Sequence, residues 1–286
     1  MTIQAQTKPS RPQITGLTFV TIGVGNIDSA IRFYHGELGL RYLTCASSDQ
    51  ESKCFFINPA QRVDLIKNTD GAKNNLIKGI GWSTSDASAL RKYLLAQNQK
   101  PGELASDSQG LISFKIKDPE NHIIEFVQRT GGMAGSIGGG PAISNRIIHA
   151  GFIVKDRGAM DKFYRDILGF HLYWQGGMKD GETSWVSMQV PDGTDWIEYM
   201  LNIDPNADQH LRGVMNHIAL GVPSVKEAAI QLEKAGVKLT EQPKIGRDGK
   251  WQLNLYDPDL TRAELMEFTP VEKPCCSEFT GTHPKP

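Results

Sequence analysis

Four residues in the second half of the chain have the types and spacing of a metal centre: His149, Glu198, His217 and Glu264. Each His opens an apolar run, and each Glu sits inside a later one. The first pair is 49 residues apart and the second 47. A unit that supplies one imidazole and one carboxylate builds a single four-donor site when two copies pack face to face. Two neutral imidazoles and two carboxylates suit one borderline divalent cation: Zn, Ni, Co, Mn or Fe(II). The carboxylates balance its charge, and open positions accept water or two neighbouring oxygens of a small substrate. The cation then polarises a carbonyl, and a nearby base takes the adjacent proton. Glu264 alternates with Leu265 and shares a strand face with Met266, an apolar floor on which an unpaired carboxylate is costly. Glu198 follows the same logic, whereas Glu267 belongs to the opposite, solvated face.

The positioning elements repeat. The pattern FY-x3-LG occurs at 33–39 and 163–169, and DP-x5-E at 118–125 and 257–264. The two halves are therefore copies of one another. Between them lies a Gly-rich stretch, 131–141. A phosphate-cradling loop needs a helix directly after it, but a strand-like run follows, so the stretch reads as a flexible linker. The expected organisation is a first domain at 14–130, a linker at 131–144, a second domain at 145–270 and a tail at 271–286.

Each half divides again. In the second half a β-type run at 147–154 precedes a helix with Met160, Phe163, Tyr164, Ile167 and Leu168 on one face. Gly169 fits its left-handed stop. Strands at 170–174, 184–190 and 196–201 follow. The order restarts with a strand at 217–222 and a helix N-capped by Ser224, carrying Val225, Ala228, Ala229 and Leu232 and closed by Gly236. Strands at 237–239, 251–256 and 263–268 complete the unit. The pattern is β-α-β-β-β, four times over the chain. The fold class is α+β: modules pair into two eight-stranded, cup-like half-barrels with helices outside.

Bulk properties narrow the function. Net charge is −1 and charged residues make up 22%, so no basic stripe points to nucleic acid. No apolar run reaches the length of a membrane span. The polar start, MTIQAQTKPSRPQ, carries no leader pattern, and a cytoplasmic location is expected. Partners are then a small-molecule substrate and at most a second copy of the chain, as monomer or homodimer. Four cysteines are too few for a disulfide scaffold. Cys45 and Cys54 flank a turn, and Cys275-Cys276 reads as a feature of the tail.

With FY-x3-LG, DP-x5-E, four β-α-β-β-β units and a His opening two strands, the chain resembles the vicinal oxygen chelate superfamily of glyoxalases, epimerases, fosfomycin-resistance proteins and extradiol dioxygenases. The resemblance covers about residues 14–270. It implies one divalent metal on His149, Glu198, His217 and Glu264. The favoured activity is an isomerase or lyase acting on an α-oxygenated carbonyl compound through a metal-stabilised enediolate, with Glu198 or Glu264 as the proton acceptor. The alternative is an extradiol-type Fe(II) ring-cleaving dioxygenase using only His149, His217 and Glu264. Against it, the Tyr of the ring-cleaving signature is Asn254 here, with Tyr256 two residues on, and 246–253 contains no His. A second alternative is a non-catalytic binding or resistance protein. The first half has lost the site: Phe19 aligns with His149, Asp64 falls near Glu198, Gly79 or Ile80 matches His217, and Glu125 matches Glu264. His122 is expected to be exposed, Arg247 and Lys250 to lie in a solvated turn, and Trp185, Tyr199 and Trp251 to be ordinary core aromatics.

Overall fold

The computed structural model describes residues 9–44, 52–69, 76–107, 110–129 and 142–286; the Gly-rich stretch at 131–141 and Cys45 lie outside the described residues. The first half runs β1 (Ile14–Val24), α1 (Ile27–Ile31, continued by a π-helical Arg32–Glu37), β2 (Arg41–Thr44), β3 (Lys53–Phe56), β4 (Arg62–Lys67), β5 (Ile77–Thr84), α2 (Ala87–Ala96), β6 (Ala105–Ser106), β7 (Leu111–Lys117) and β8 (Ile123–Arg129). The second half repeats it: β9 (Ile147–Ile153), α3 (Arg157–Asp161, continued by a π-helical Lys162–Ile167), β10 (His171–Gly176), β11 (Trp185–Gln189) and β12 (Trp196–Met200). It goes on through α4 (Gln209–Met215), β13 (His217–Val222), α5 (Val225–Lys234), β14 (Lys244–Ile245), β15 (Trp251–Tyr256) and β16 (Arg262–Glu267).

Among the described residues each half forms one eight-stranded sheet, and the orders match: β2-β3-β4-β1-β5-β8-β7-β6 and β10-β11-β12-β9-β13-β16-β15-β14. The first strand of each module lies at the centre, where β9 and β13 pair antiparallel. The expected local signals operate. Ser224 accepts a hydrogen bond from Glu227 N at 3.2 Å, while Gly169 and Gly236 stop their helices at φ +81° and +86°. One expectation fails, and one helix was not anticipated. Residues 237–239 form no strand; pairing starts only at Lys244, because β14 is a two-residue edge strand opposite Trp251 and Gln252. The short α4 interrupts its apolar pattern with Gly213, which gives it little helical periodicity to read.

The two repeated motifs interlock the halves. Tyr34 of the first FY pair donates to Asp257 Oδ2 of the second DP motif at 3.1 Å. Tyr164 of the second donates to Asp118 Oδ2 of the first at 3.2 Å. Each Asp also accepts, on Oδ1, two backbone N–H groups of its own turn. The motifs are thus reciprocal staples, which explains why they recur as a set. His122 is held in the same knot, contrary to expectation: its Nδ1 lies 2.8 Å from Asp118 Oδ2 and its ring packs 4.4 Å from Phe152. Further links cross at β1 and β9, where Gln61 bonds both N and O of Ile147 and Asp195 accepts from Leu17 N. One continuous apolar core draws on both halves.

Candidate metal centre

Four adjacent strands, β12-β9-β13-β16, bring the four residues together. His149 on β9 lies opposite Ala219 on β13, and His217 on β13 lies opposite Gly151 on β9. Glu198 on β12 is level with Gly151, and Glu264 on β16 is level with Ala219. Each imidazole therefore faces a small residue across the central pair. The space is needed: a Cβ built on Gly151 would stand 1.8 Å from His217 Cε1.

The donor atoms converge. His149 Nε2 is 3.0 Å from His217 Nε2, His217 Nε2 is 3.2 Å from Glu198 Oε2, and His149 Nε2 is 3.7 Å from Glu264 Oε2. Nitrogen donors at about 2.0–2.1 Å from one cation stand roughly 2.9–3.4 Å apart for angles between right and tetrahedral. The imidazole pair has that spacing. His149, His217 and Glu264 form a buried set with donor atoms all within 4.8 Å of one another. Glu198 approaches from the His217 side, with Ser187 Oγ donating to its other oxygen at 3.2 Å.

These contacts are not ion pairs. Burial holds both imidazoles well below the ordinary histidine range, with Arg262 adding to it for His217. Glu264 is pushed up to about 7, chiefly by burial, with Glu198 and Asp248 adding to the rise and Arg262 opposing it. Neutral nitrogens facing a buried carboxylate are a set of acceptors with too few protons to share, which is the composition a cation satisfies. His217 Nδ1 lies 3.3 Å from Met215 O, leaving Nε2 to face the centre. His149 Nδ1 is buried without a hydrogen-bond partner, and its ring stacks on Trp196 at 4.6 Å.

A cavity of about 450 Å³ opens onto Glu198 and Glu264, with both imidazoles buried behind its lining. Glu198, Glu264, Asn254, Tyr256 and Arg262 line it, together with Trp174, Trp185 and Phe279. Asn254 stands where the ring-cleaving signature expects Tyr; it donates to Glu241 Oε2 at 3.0 Å, and Tyr256 also bonds Glu241. Of the three aromatics expected in the core, Trp185 reaches the cavity wall. Tyr199 is fully buried in the main core, and Trp251 lies beneath Lys226.

Sequence reasoning missed Lys250 and the tail. Lys250 is 0% exposed; Gly and Asp around it imitate a solvated turn, but β15 begins at once and carries it inward. The cysteines 275 and 276 are joined by a disulfide, and the tail folds back beside the cavity. An aromatic residue, Phe279, in an otherwise polar segment was the available signal.

The first half carries the same frame without the donors. Register places Phe19 at the His149 position, Gly79 at the His217 position, Asp64 at the Glu198 position and Glu125 at the Glu264 position. Arg62 fills the gap: it pairs Asp64 through two hydrogen bonds at 2.7 and 2.9 Å and lies 4.8 Å above the Phe19 ring. A guanidinium thus takes the place that a cation would need.

Residues 146–265 match the model of the Glyoxalase/Bleomycin resistance protein/Dioxygenase superfamily. Over these residues the chain is similar to that superfamily, the vicinal oxygen chelate proteins. No curated protein matches the sequence. Solved structures of the same fold include a catechol 2,3-dioxygenase (TM-score 0.67, 17% identity, covering 96% of each chain). Homoprotocatechuate 2,3-dioxygenase from Arthrobacter globiformis gives 0.66 and 17%, covering 95% of this chain and 87% of that one. The enzyme from Brevibacterium fuscum, bound to 3,4-dihydroxyphenylacetate, gives 0.65 and 18%, covering 97% and 89%. At such identity the likeness establishes the fold. Among the described residues no helix is long and apolar enough to cross a membrane.

Proposed function

We propose that the protein is a divalent-metal-dependent lyase or isomerase that moves a proton next to a carbonyl in a small α-oxygenated substrate. The observation that carries this reading is Glu198: its Oε2 lies 3.2 Å from His217 Nε2, so a second carboxylate stands beside the His149–His217–Glu264 cluster. A divalent cation bound by these four residues supplies Lewis acidity to two neighbouring substrate oxygens. Glu198 is the better-placed proton acceptor. It lines the cavity, its side chain is 14% exposed against 3% for Glu264, and Ser187 orients it. Glu264 and the two imidazoles, more deeply buried, serve as fixed anchors. The centre lies in the 145–270 unit, and 14–130 acts as its scaffold, with the chain working as monomer or homodimer.

A ring-cleaving dioxygenase is the second reading, favoured by the compact His149–His217–Glu264 set and by the solved structures of like fold. Asn254 in place of the signature Tyr counts against it. Reconstitution under anaerobic conditions with Fe2+, Co2+ or Zn2+ separates the two. The expected result is one metal per chain and solvent-deuterium exchange next to the carbonyl of an α-hydroxycarbonyl compound without O2. Oxygen uptake with a catechol and no such exchange establishes the second reading instead. Substoichiometric metal under all conditions refutes both.

A further inference from the structure

Residues 275–283 lie beyond the segment that matches the superfamily, yet they are built into the site. The segment runs along the edge strand β10 and is fastened to it repeatedly. Ser277 Oγ bonds both N and O of Gln175 at 3.0 Å, and Thr280 N donates to Tyr173 O at 3.0 Å. Trp174 Nε1 donates to Cys275 O at 3.2 Å, Cys275 N donates to Arg247 O at 2.8 Å, and Gln189 Nε2 donates to Thr282 O at 2.8 Å. These bonds cover an otherwise open sheet edge and set Phe279 into the cavity wall.

Phe279 is held from behind. Its ring lies 4.8 Å from Tyr173 and 4.8 Å from His283. The buried Lys250 ammonium sits 5.2 Å from it, 5.2 Å from Tyr173 and 4.8 Å from Trp196, and donates to Tyr173 OH at 3.1 Å. A desolvated cation facing three rings fixes their orientation. Trp196 in turn stacks on His149, so the wall is continuous with the metal centre. Trp174 and Trp185, which also line the cavity, stand nearly parallel, 6.5 Å apart. The cavity lining thus combines the carboxylates of Glu198 and Glu264 with apolar, aromatic rings. A two-carbon chelator leaves most of about 450 Å³ to water.

Resting on the metalloenzyme reading, we propose that the C-terminal segment is the specificity wall of this cavity, with Phe279 its selecting residue. The ligand it selects is an α-oxygenated carboxylate or carbonyl compound that bears an aromatic or similarly bulky apolar group.

Glycolate and mandelate test this, since both chelate through hydroxyl and carboxylate and differ by a phenyl ring. Their binding to Co2+-loaded protein is read from the visible bands of the bound ion. Burying a phenyl group gives an expected preference for mandelate of about tenfold or more in the wild type. Phe279→Ala removes most of that preference, shifting glycolate by no more than about twofold, and leaves Co2+ affinity alone unchanged. Phe279→Leu, which keeps apolar bulk and holds the strap in place, recovers part of it. Equal affinity for the two acids in the wild type, or a preference that survives in Phe279→Ala, overturns the proposal while leaving the metal reading intact. Failure of the wild type to bind Co2+ overturns both, because the oxygen end of the ligand then has no anchor.

Discussion

Replacing Gly151 with Ala tests the architecture of the centre without touching a donor. The added Cβ would stand 1.8 Å from Cε1 and 2.5 Å from both nitrogens of His217. Carbon atoms rest at about 3.5–4.0 Å, so the imidazole must retreat by roughly 1.7–2.2 Å, comparable to the whole length of a metal–nitrogen bond of about 2.0–2.1 Å. The nitrogen is then lost as a donor. Mutation of an outer partner of a ligand costs about 10–100-fold in affinity, so Gly151→Ala is expected to weaken metal binding by at least about 100-fold. Overpacking also costs stability, about 1–3 kcal/mol. Gly81→Ala separates the two effects. Its Cβ would stand 2.3 Å from the Phe19 ring in the half that lacks the paired donor histidines, so it carries a similar stability cost with no change in metal affinity. Competition titration against a chromophoric chelator reads affinity, and thermal unfolding reads stability. Metal binding by Gly151→Ala within about threefold of wild type, or equal loss in both variants, would refute the reasoning.

Metal affinity should rise with pH through about 7, the value to which burial pushes Glu264. Below it the carboxyl must release a proton to bind, so affinity falls by up to about tenfold per pH unit; the imidazoles, held well below their usual range, release none near neutrality. Since the folded value lies above the ordinary 4.5, the stability this group contributes to metal-free protein is present below 4.5 and lost as pH rises through about 7. An affinity already flat from pH 5.5 to 8 would contradict the assignment. Tyr34→Phe leaves Asp257 buried without its partner from the other half, at a cost of about 1–3 kcal/mol. Thermal unfolding should show the loss with metal affinity unchanged; the reverse pattern would give the motif a catalytic role instead of a structural one.

How much was legible in advance depends on how local each signal is. His149, Glu198, His217 and Glu264 could be picked out because a duplicated unit puts like residues at like register, and strand alternation assigns them one face. The helix stops at Gly169 and Gly236 and the N-cap at Ser224 are local backbone chemistry, and they hold. The α+β class and the four modules follow from the same repeats. Other features depended on partners far away in sequence. FY-x3-LG and DP-x5-E were recognisable, but only packing shows that Tyr34 meets Asp257 and Tyr164 meets Asp118. Lys250 reads as solvated until β15 turns it under Trp196, Tyr173 and Phe279. The tail has no periodicity, and its path along β10 is set by an open sheet edge roughly a hundred residues earlier. The sequence by itself determined which side chains can hold a cation, since residue type and alternation are properties of the chain. Tertiary structure alone decided that Glu198 Oε2 stands 3.2 Å from His217 Nε2 and that the tail walls the cavity, since both depend on distances between strands that no spacing along the chain encodes.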